Sequence, residues 1–216
     1  PCEKSKSYLT EWKDDDPEAF LKDSSVEMQI MFIGGGNAYV LFRRGEECQN
    51  VNKFLAEYIL NRTYSLSLAV AVVKKTENYS EDYNAINEEM RRIKASMPLS
   101  MPMGAMPFMA VDSVTGYPLT EKTREEYLCT EAKLKREAFP ETEDEKIFDN
   151  MVTEKGDSST LAVFHIDGNS MGKKIKDKMQ KIHTYGDAVR TMRALSIDIS
   201  DTFLETVDET KKYIDS

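Results

Sequence analysis

The sequence predicts a mixed α+β fold, and three observations carry that expectation. Met28 to Phe42 (MQIMFIGGGNAYVLF) reads as two apolar strands turned back on one another at consecutive glycines. Leu161 to Lys174 (LAVFHIDGNSMGKK) reads as an apolar strand that ends on a carboxylate, enters a Gly-containing turn and runs into a lysine-studded helix. Ala188, Met192, Leu195, Ile199, Phe203 and Val207 recur at helical spacing and mark one long amphipathic helix.

The remaining elements follow in chain order. Residues 17 to 23 (PEAFLKD) form a short helix with Pro in its first turn. Strands are predicted over about 27–33 and 38–43, and a helix over Val51, Phe54, Leu55, Tyr58 and Ile59. Residues 64–73 (YSLSLAVAVV) alternate and then run apolar, which predicts a strand, expected over 66–73, with one buried face. A further helix begins near Ser80, taken as its N-cap, with Tyr83, Ile86, Met90 and Ile93 as its inner stripe. Hairpin, helix, strand and helix together read as part of an antiparallel α+β sandwich of the ferredoxin-like type. Residues 96–120 hold four of the seven prolines and five of the twelve methionines, so no regular element is expected to run far there. A helix is predicted over 121–139, capped by Thr120 or Thr123, and an acidic one over 141–153. The sequence Gly156-Asp157-Ser158-Ser159 reads as a linker. Helices over 172–182 and 187–212 complete the chain. The resulting division is an N-terminal segment (1–26), a hairpin-bearing half (27–95), a Met/Pro-rich connector with helices (96–159) and an Asp-bearing half (160–216).

Composition narrows the function classes. With 216 residues and a net charge of -9, the chain is large enough for one or two cores. It is too acidic to coat nucleic acid broadly, so nucleotide chemistry is expected in a local basic pocket. Cys2, Cys48 and Cys129 are widely separated and read as free thiols in a reducing compartment. No membrane-length apolar run or signal-peptide core is present, so the expectation is a cytoplasmic protein without a membrane partner. The first residue is Pro, consistent with a trimmed or partial chain.

Asp167 is the candidate catalytic and metal-binding residue. It stands where the strand should end, with Gly168 and Gly172 permitting close backbone approach, Asn169 offering a neutral oxygen in the same candidate nucleotide-binding turn, and Lys173 and Lys174 suited to phosphate. The same aspartate also suits a plain turn or helix cap. Lys174, Lys178 and Lys181 share one helix face, either as a phosphate site or as a solvated basic surface. Gly34, Gly35, Gly36 and Asn37 are candidate nucleotide-binding residues, although a tight hairpin alone would also use them. His165 alternates with Asp167 on the predicted strand, facing either a base or the core, whereas His183 reads as surface.

The pairing of IGGGNAYVLF with LAVFHIDGNSMGKK resembles the palm domains of the large, polymerase-like subunit of type III CRISPR effector complexes, themselves similar to GGDEF nucleotide cyclases. The resemblance covers about 27–95 and 160–210. It implies a palm-type nucleotide-binding protein of antiviral defence, with ATP or another nucleotide as ligand and Mg²⁺ or Mn²⁺ as cofactor. Protein subunits and RNA are the partners it implies in a larger complex. The family makes cyclic oligoadenylate, so an active chain would be a metal-dependent nucleotidyltransferase or cyclase. Two departures bear on activity. The family's D-x-D turn is here Asp167-Gly168-Asn169, and its acidic hairpin matches the acid-free Gly34 to Asn37. These point to a degenerate or truncated palm; a non-catalytic scaffold and a GGDEF-like cyclase relative are the alternatives. The segment VDSVTGYPLT resembles a family element that opens with a zinc-binding cysteine, but Asp112 stands near that position and no structural zinc is expected. The hairpin precedes the Asp-bearing strand, so the chain holds either parts of two palms or one permuted palm.

Overall fold

The computed structural model describes residues 16–97, 104–124, 126–138 and 171–214. Its elements are α1 (Ala19–Lys22), β1 (Met28–Gly34), β2 (Asn37–Phe42), α2 (Gly45–Thr63), α3 (Tyr79–Ser96), β3 (Leu119–Lys122), β4 (Tyr127–Cys129), α4 (Thr130–Glu137), α5 (Met171–Met179) and α6 (Tyr185–Ile214). The fold is α+β, with two antiparallel two-stranded sheets, β1-β2 and β3-β4, among the described residues. The chain divides into two compact units, one drawn from Pro1–Phe54, Ala69–Met97 and Met171–Ser216, the other from Leu55–Leu68 and Pro98–Ser170.

In the first unit, Met28 pairs with Phe42 and Gly34 with Asn37, which leaves Gly35 and Gly36 as a two-residue loop. Both have positive φ, 54° and 72°. A tight turn of this hand matches the right-handed twist of the strands and requires positive φ at both central positions, a conformation that glycine adopts without a Cβ clash. The register shifts between Ile30 and Phe32, so β1 carries one extra residue at Met31. Met31 and Phe32 are buried together with Tyr79 and Tyr83 of α3, Met179 of α5 and Ala188, Val189 and Met192 of α6. Tyr39, Leu41, Ile175, Ile182 and Ile199 pack around this centre. The predicted stripe on the last helix is therefore what covers the hairpin, but only along its first half. Residues 201–213 of the same helix are exposed, including Phe203 and Val207.

The segment before the hairpin is fixed by polar side chains. Gln29, buried in β1, accepts from the Phe20 N–H (2.9 Å) and donates to the Asp16 carbonyl (3.2 Å). Arg43 lies 4.1 Å from the Phe20 ring centroid and donates to the carbonyls of Phe20, Asp23 and Val26. Strand and helix ends are thereby tied at α1 without further secondary structure.

Several expectations are corrected. Residues 66–73 form no strand ladder among the described residues. Alternation specifies which side chains share a face, whereas a strand also needs a neighbour's unsatisfied backbone. On β1, Ile30 and Ile33 already direct backbone groups to side chains of α6. The helix expected over 121–139 is confined to Thr130–Glu137, and β3 and β4 occupy the preceding residues. Thr123 closes their turn instead of capping a helix: its Oγ1 donates to the Glu126 carbonyl (2.9 Å) and accepts the Glu126 N–H (3.0 Å). The cap of α3 is Asn78, whose Oδ1 accepts the Ser80 N–H at 3.1 Å, so the residue expected as cap is the one being capped. The predicted strand 161–167 and the predicted helix 141–153 lie outside the described residues.

The second unit is built on the β3-β4 hairpin. Leu119 pairs with Cys129, Leu128 and Cys129 are buried, and the Tyr117 ring meets that of Tyr64 edge-on at 5.5 Å. Tyr64 ends α2 with φ of 65°, and its N–H donates to the Leu60 carbonyl at 2.8 Å.

Candidate functional site

Of the residues expected to bind nucleotide, the described ones fall in two places within the first unit. Gly34 to Asn37 form the β1-β2 turn, and Gly172, Lys173 and Lys174 lie in the first turn of α5. Asp167, Gly168, Asn169 and His165 lie outside the described residues.

The turn residues have local roles. Asn37 Nδ2 donates to the Gly35 carbonyl at 2.9 Å, which satisfies a backbone acceptor of the loop. A Cβ on Gly34 would come within 2.9 Å of the tip of the Phe32 ring, so this glycine admits the core aromatic. By contrast, a Cβ at Gly172 meets open space, and no contact within the described chain demands glycine there.

Lysine placement on α5 follows from its buried side. Ile175, Met179 and the following Ile182 face the core, which turns Lys173, Lys174, Lys176, Lys178 and Lys181 to solvent. Among the described residues none of these five pairs with a carboxylate. Asp177 is the one acid in this stretch.

The α5-α6 connection is held by a polar network that the periodicity of the sequence did not reveal. Asp82, buried in α3, accepts the Thr76 N–H (2.6 Å), the Thr76 hydroxyl (2.9 Å) and the Tyr185 hydroxyl. The Tyr79 N–H donates to the His183 carbonyl at 3.0 Å, and Lys75 Nζ lies 4.0 Å from the Tyr185 ring centroid. Three donors on one buried carboxylate compensate its loss of water. Burial, then the hydrogen bond to Asp82, pushes the Tyr185 phenol well above its ordinary range. Burial does the same to Tyr79, which also sits among the phenols of Tyr83, Tyr39 and Tyr185. The legible signal was Asp82 itself, an acid on the same helical stripe as Tyr79 and Tyr83.

In the second unit, Asp112 forms a tight polar turn. Its Oδ1 accepts the N–H groups of Val114 (3.0 Å) and Thr115 (2.7 Å) and the Thr115 hydroxyl (2.9 Å), and these bonds, that of the Thr115 N–H first, hold its carboxyl below the usual range. Cys129, with 0% exposure, caps α4 by accepting the Ala132 N–H at 3.5 Å. Among the described residues no three His, Cys, Asp or Glu side chains converge as metal ligands. No helix among them is long and apolar enough to cross a membrane.

Comparison with known protein families, with characterised proteins and with solved structures returns no match for this chain.

Proposed function

We propose that this chain is a palm-type nucleotide-binding protein of the kind its two motifs resemble, the large subunit of type III CRISPR effector complexes. In this reading it is degenerate in its catalytic acids and binds ATP weakly with Mg²⁺ or Mn²⁺. The observation that carries the reading is the packing of the two resembling halves on each other: Met31 and Phe32 of the glycine hairpin are buried against Ala188, Val189 and Met192 of the helix that follows the Asp167 segment. This packing fits one permuted palm and adjoining parts of two palms alike. Asp167 would be the metal's carboxylate ligand and Lys173 and Lys174 would neutralise phosphate. The hairpin turn contributes no carboxylate to such a site, because Gly34 to Asn37 contain no acid.

Calorimetric titration of ATP with Mg²⁺ or Mn²⁺ tests the reading. Binding to the 216-residue chain should be metal-dependent and should weaken in Asp167→Ala. Equal binding by the two proteins would leave Asp167 as a turn residue and exclude it as the metal's ligand, and no metal-dependent binding to the parent would overturn the reading.

A further inference from the structure

The chain has a net charge of -9, yet residues 173–181 contain five lysines and a single aspartate. This concentration of positive charge is displayed by the fold: Ile175 and Met179 anchor α5 on the hairpin core, and all five lysines are exposed. None is neutralised by a carboxylate among the described residues. Lys174 and Lys178 are one helical turn apart on one flank. At a rise of about 1.5 Å per residue their Cα atoms lie roughly 6 Å apart along the axis. Lys181, exposed two residues past the end of α5, prolongs the basic run. Lys75 joins the same end of the helix pair through its contact with Tyr185, the first residue of α6.

We infer that this lysine row is a docking surface for the phosphodiester chain of single-stranded nucleic acid. A row of cations spaced along an exposed flank meets successive phosphates, and neutralising them releases counterions. With a net charge of -9, the chain as a whole offers a polyanion no broad basic surface beyond such a row. A lipid surface fits less well, because the apolar side of α5 is spent on the core and none is left to enter a bilayer. This surface goes beyond the binding of one nucleotide at Asp167 and needs no metal.

The test is fluorescence anisotropy of labelled RNA and DNA single strands of about 20 nucleotides, long enough for a site of this kind, with the whole chain in EDTA. Without divalent metal the nucleotide binding proposed at Asp167 does not operate, so the two ideas are read separately. Lys174→Glu/Lys178→Glu/Lys181→Glu should weaken binding at least about tenfold and reduce the slope of log K against log salt by about 2, three phosphates at about 0.7 each. The neutral triple variant with Gln at the same positions should fall between this protein and the parent, which keeps the test open if charge reversal impairs folding. Lys94→Glu/Lys211→Glu/Lys212→Glu changes net charge equally and should bind as the parent does. Preference between RNA and DNA identifies the natural strand. The proposal is overturned if the parent binds neither strand, if both reversal variants lose affinity equally, or if phosphatidylserine vesicles are bound and oligonucleotides are not.

Discussion

Ser196 of α6 serves both backbone groups of Ile33: its hydroxyl oxygen accepts the Ile33 N–H at 3.2 Å while its hydroxyl donates to the Ile33 carbonyl. A neighbouring strand would have satisfied the same two groups. Arg193, one helical turn earlier, donates to the Ile30 carbonyl at 3.1 Å. The two polar residues are 2% and 4% exposed on a face that otherwise carries Ala188, Val189 and Met192. Their burial is explained by the sheet edge beneath them, since a helix made wholly apolar here would strand backbone donors and acceptors of β1.

Replacement of Ser196 by Ala should therefore cost more than a lost hydroxyl on a surface. It leaves a partly buried N–H and carbonyl without this partner, a loss of about 1–3 kcal/mol. Urea unfolding followed by circular dichroism should record this as a lower midpoint with an unchanged slope. A change within about 0.5 kcal/mol, the range of neutral surface substitutions, would mean that water replaces the serine and that the edge is not closed by it.

The sequence reveals the faces of these elements better than their edges. Met28 to Phe42 was legible as a hairpin because strand alternation brackets glycines that the turn needs at positive φ, and α6 because its stripe persists over several turns. The ladder expected for 66–73 was not legible, because its existence depends on which backbone groups elsewhere remain open. Thr120 to Cys129 has residues compatible with a helix, but a Thr123–Glu126 turn and the burial of Leu128 and Cys129 select a hairpin. Ser80 and Asn78 are both good caps, and only backbone geometry separates them. For the candidate site, the lysine row follows directly from helical spacing around Ile175 and Met179. The network joining Asp82, Thr76 and Tyr185 links residues separated by up to 103 positions, and local pattern carries no information about such contacts.

Alkaline pH should destabilise the first unit through its tyrosines. Burial, then the neighbouring Tyr83 phenol, pushes Tyr39 up to about 12, and Tyr79, Tyr83 and Tyr185 are also raised, each by burial first. In the unfolded chain these phenols ionise near their ordinary value of 10.0. A raised folded value favours the protonated native state, so the stabilisation is complete below about pH 10 and is lost as pH rises through the folded values. Each fully protected phenol contributes a slope of up to about 1.4 kcal/mol per pH unit, with less from the partly exposed Tyr39 and Tyr185 because solvent screens them. Urea midpoints should be level from about pH 8 to 9.5 and fall steeply above 10. Midpoints that stay level to about pH 11.5 would show that the aromatic cluster ionises as freely folded as unfolded.

The isolated chain should not turn over nucleotide at an appreciable rate. Transfer of a nucleotidyl group by two metal ions requires carboxylates that hold both ions against the attacking and leaving oxygens. The two resembling motifs contribute Asp167 as their one acid at the expected positions, with a neutral Asn169 beside it and no acid from Gly34 to Asn37. A neutral amide oxygen is a poorer ligand for a hard cation than a carboxylate. Incubation with labelled ATP and Mn²⁺, followed by chromatography for cyclic and linear oligoadenylates, should give no product above a protein-free control. Product that forms with the parent and disappears in Asp167→Ala would mean that an acid from elsewhere in the chain completes the centre. Asn37→Asp then becomes the informative variant: if the hairpin faces the nucleotide, restoring one acid there should raise turnover, and if the hairpin is only a turn, it should leave the products unchanged.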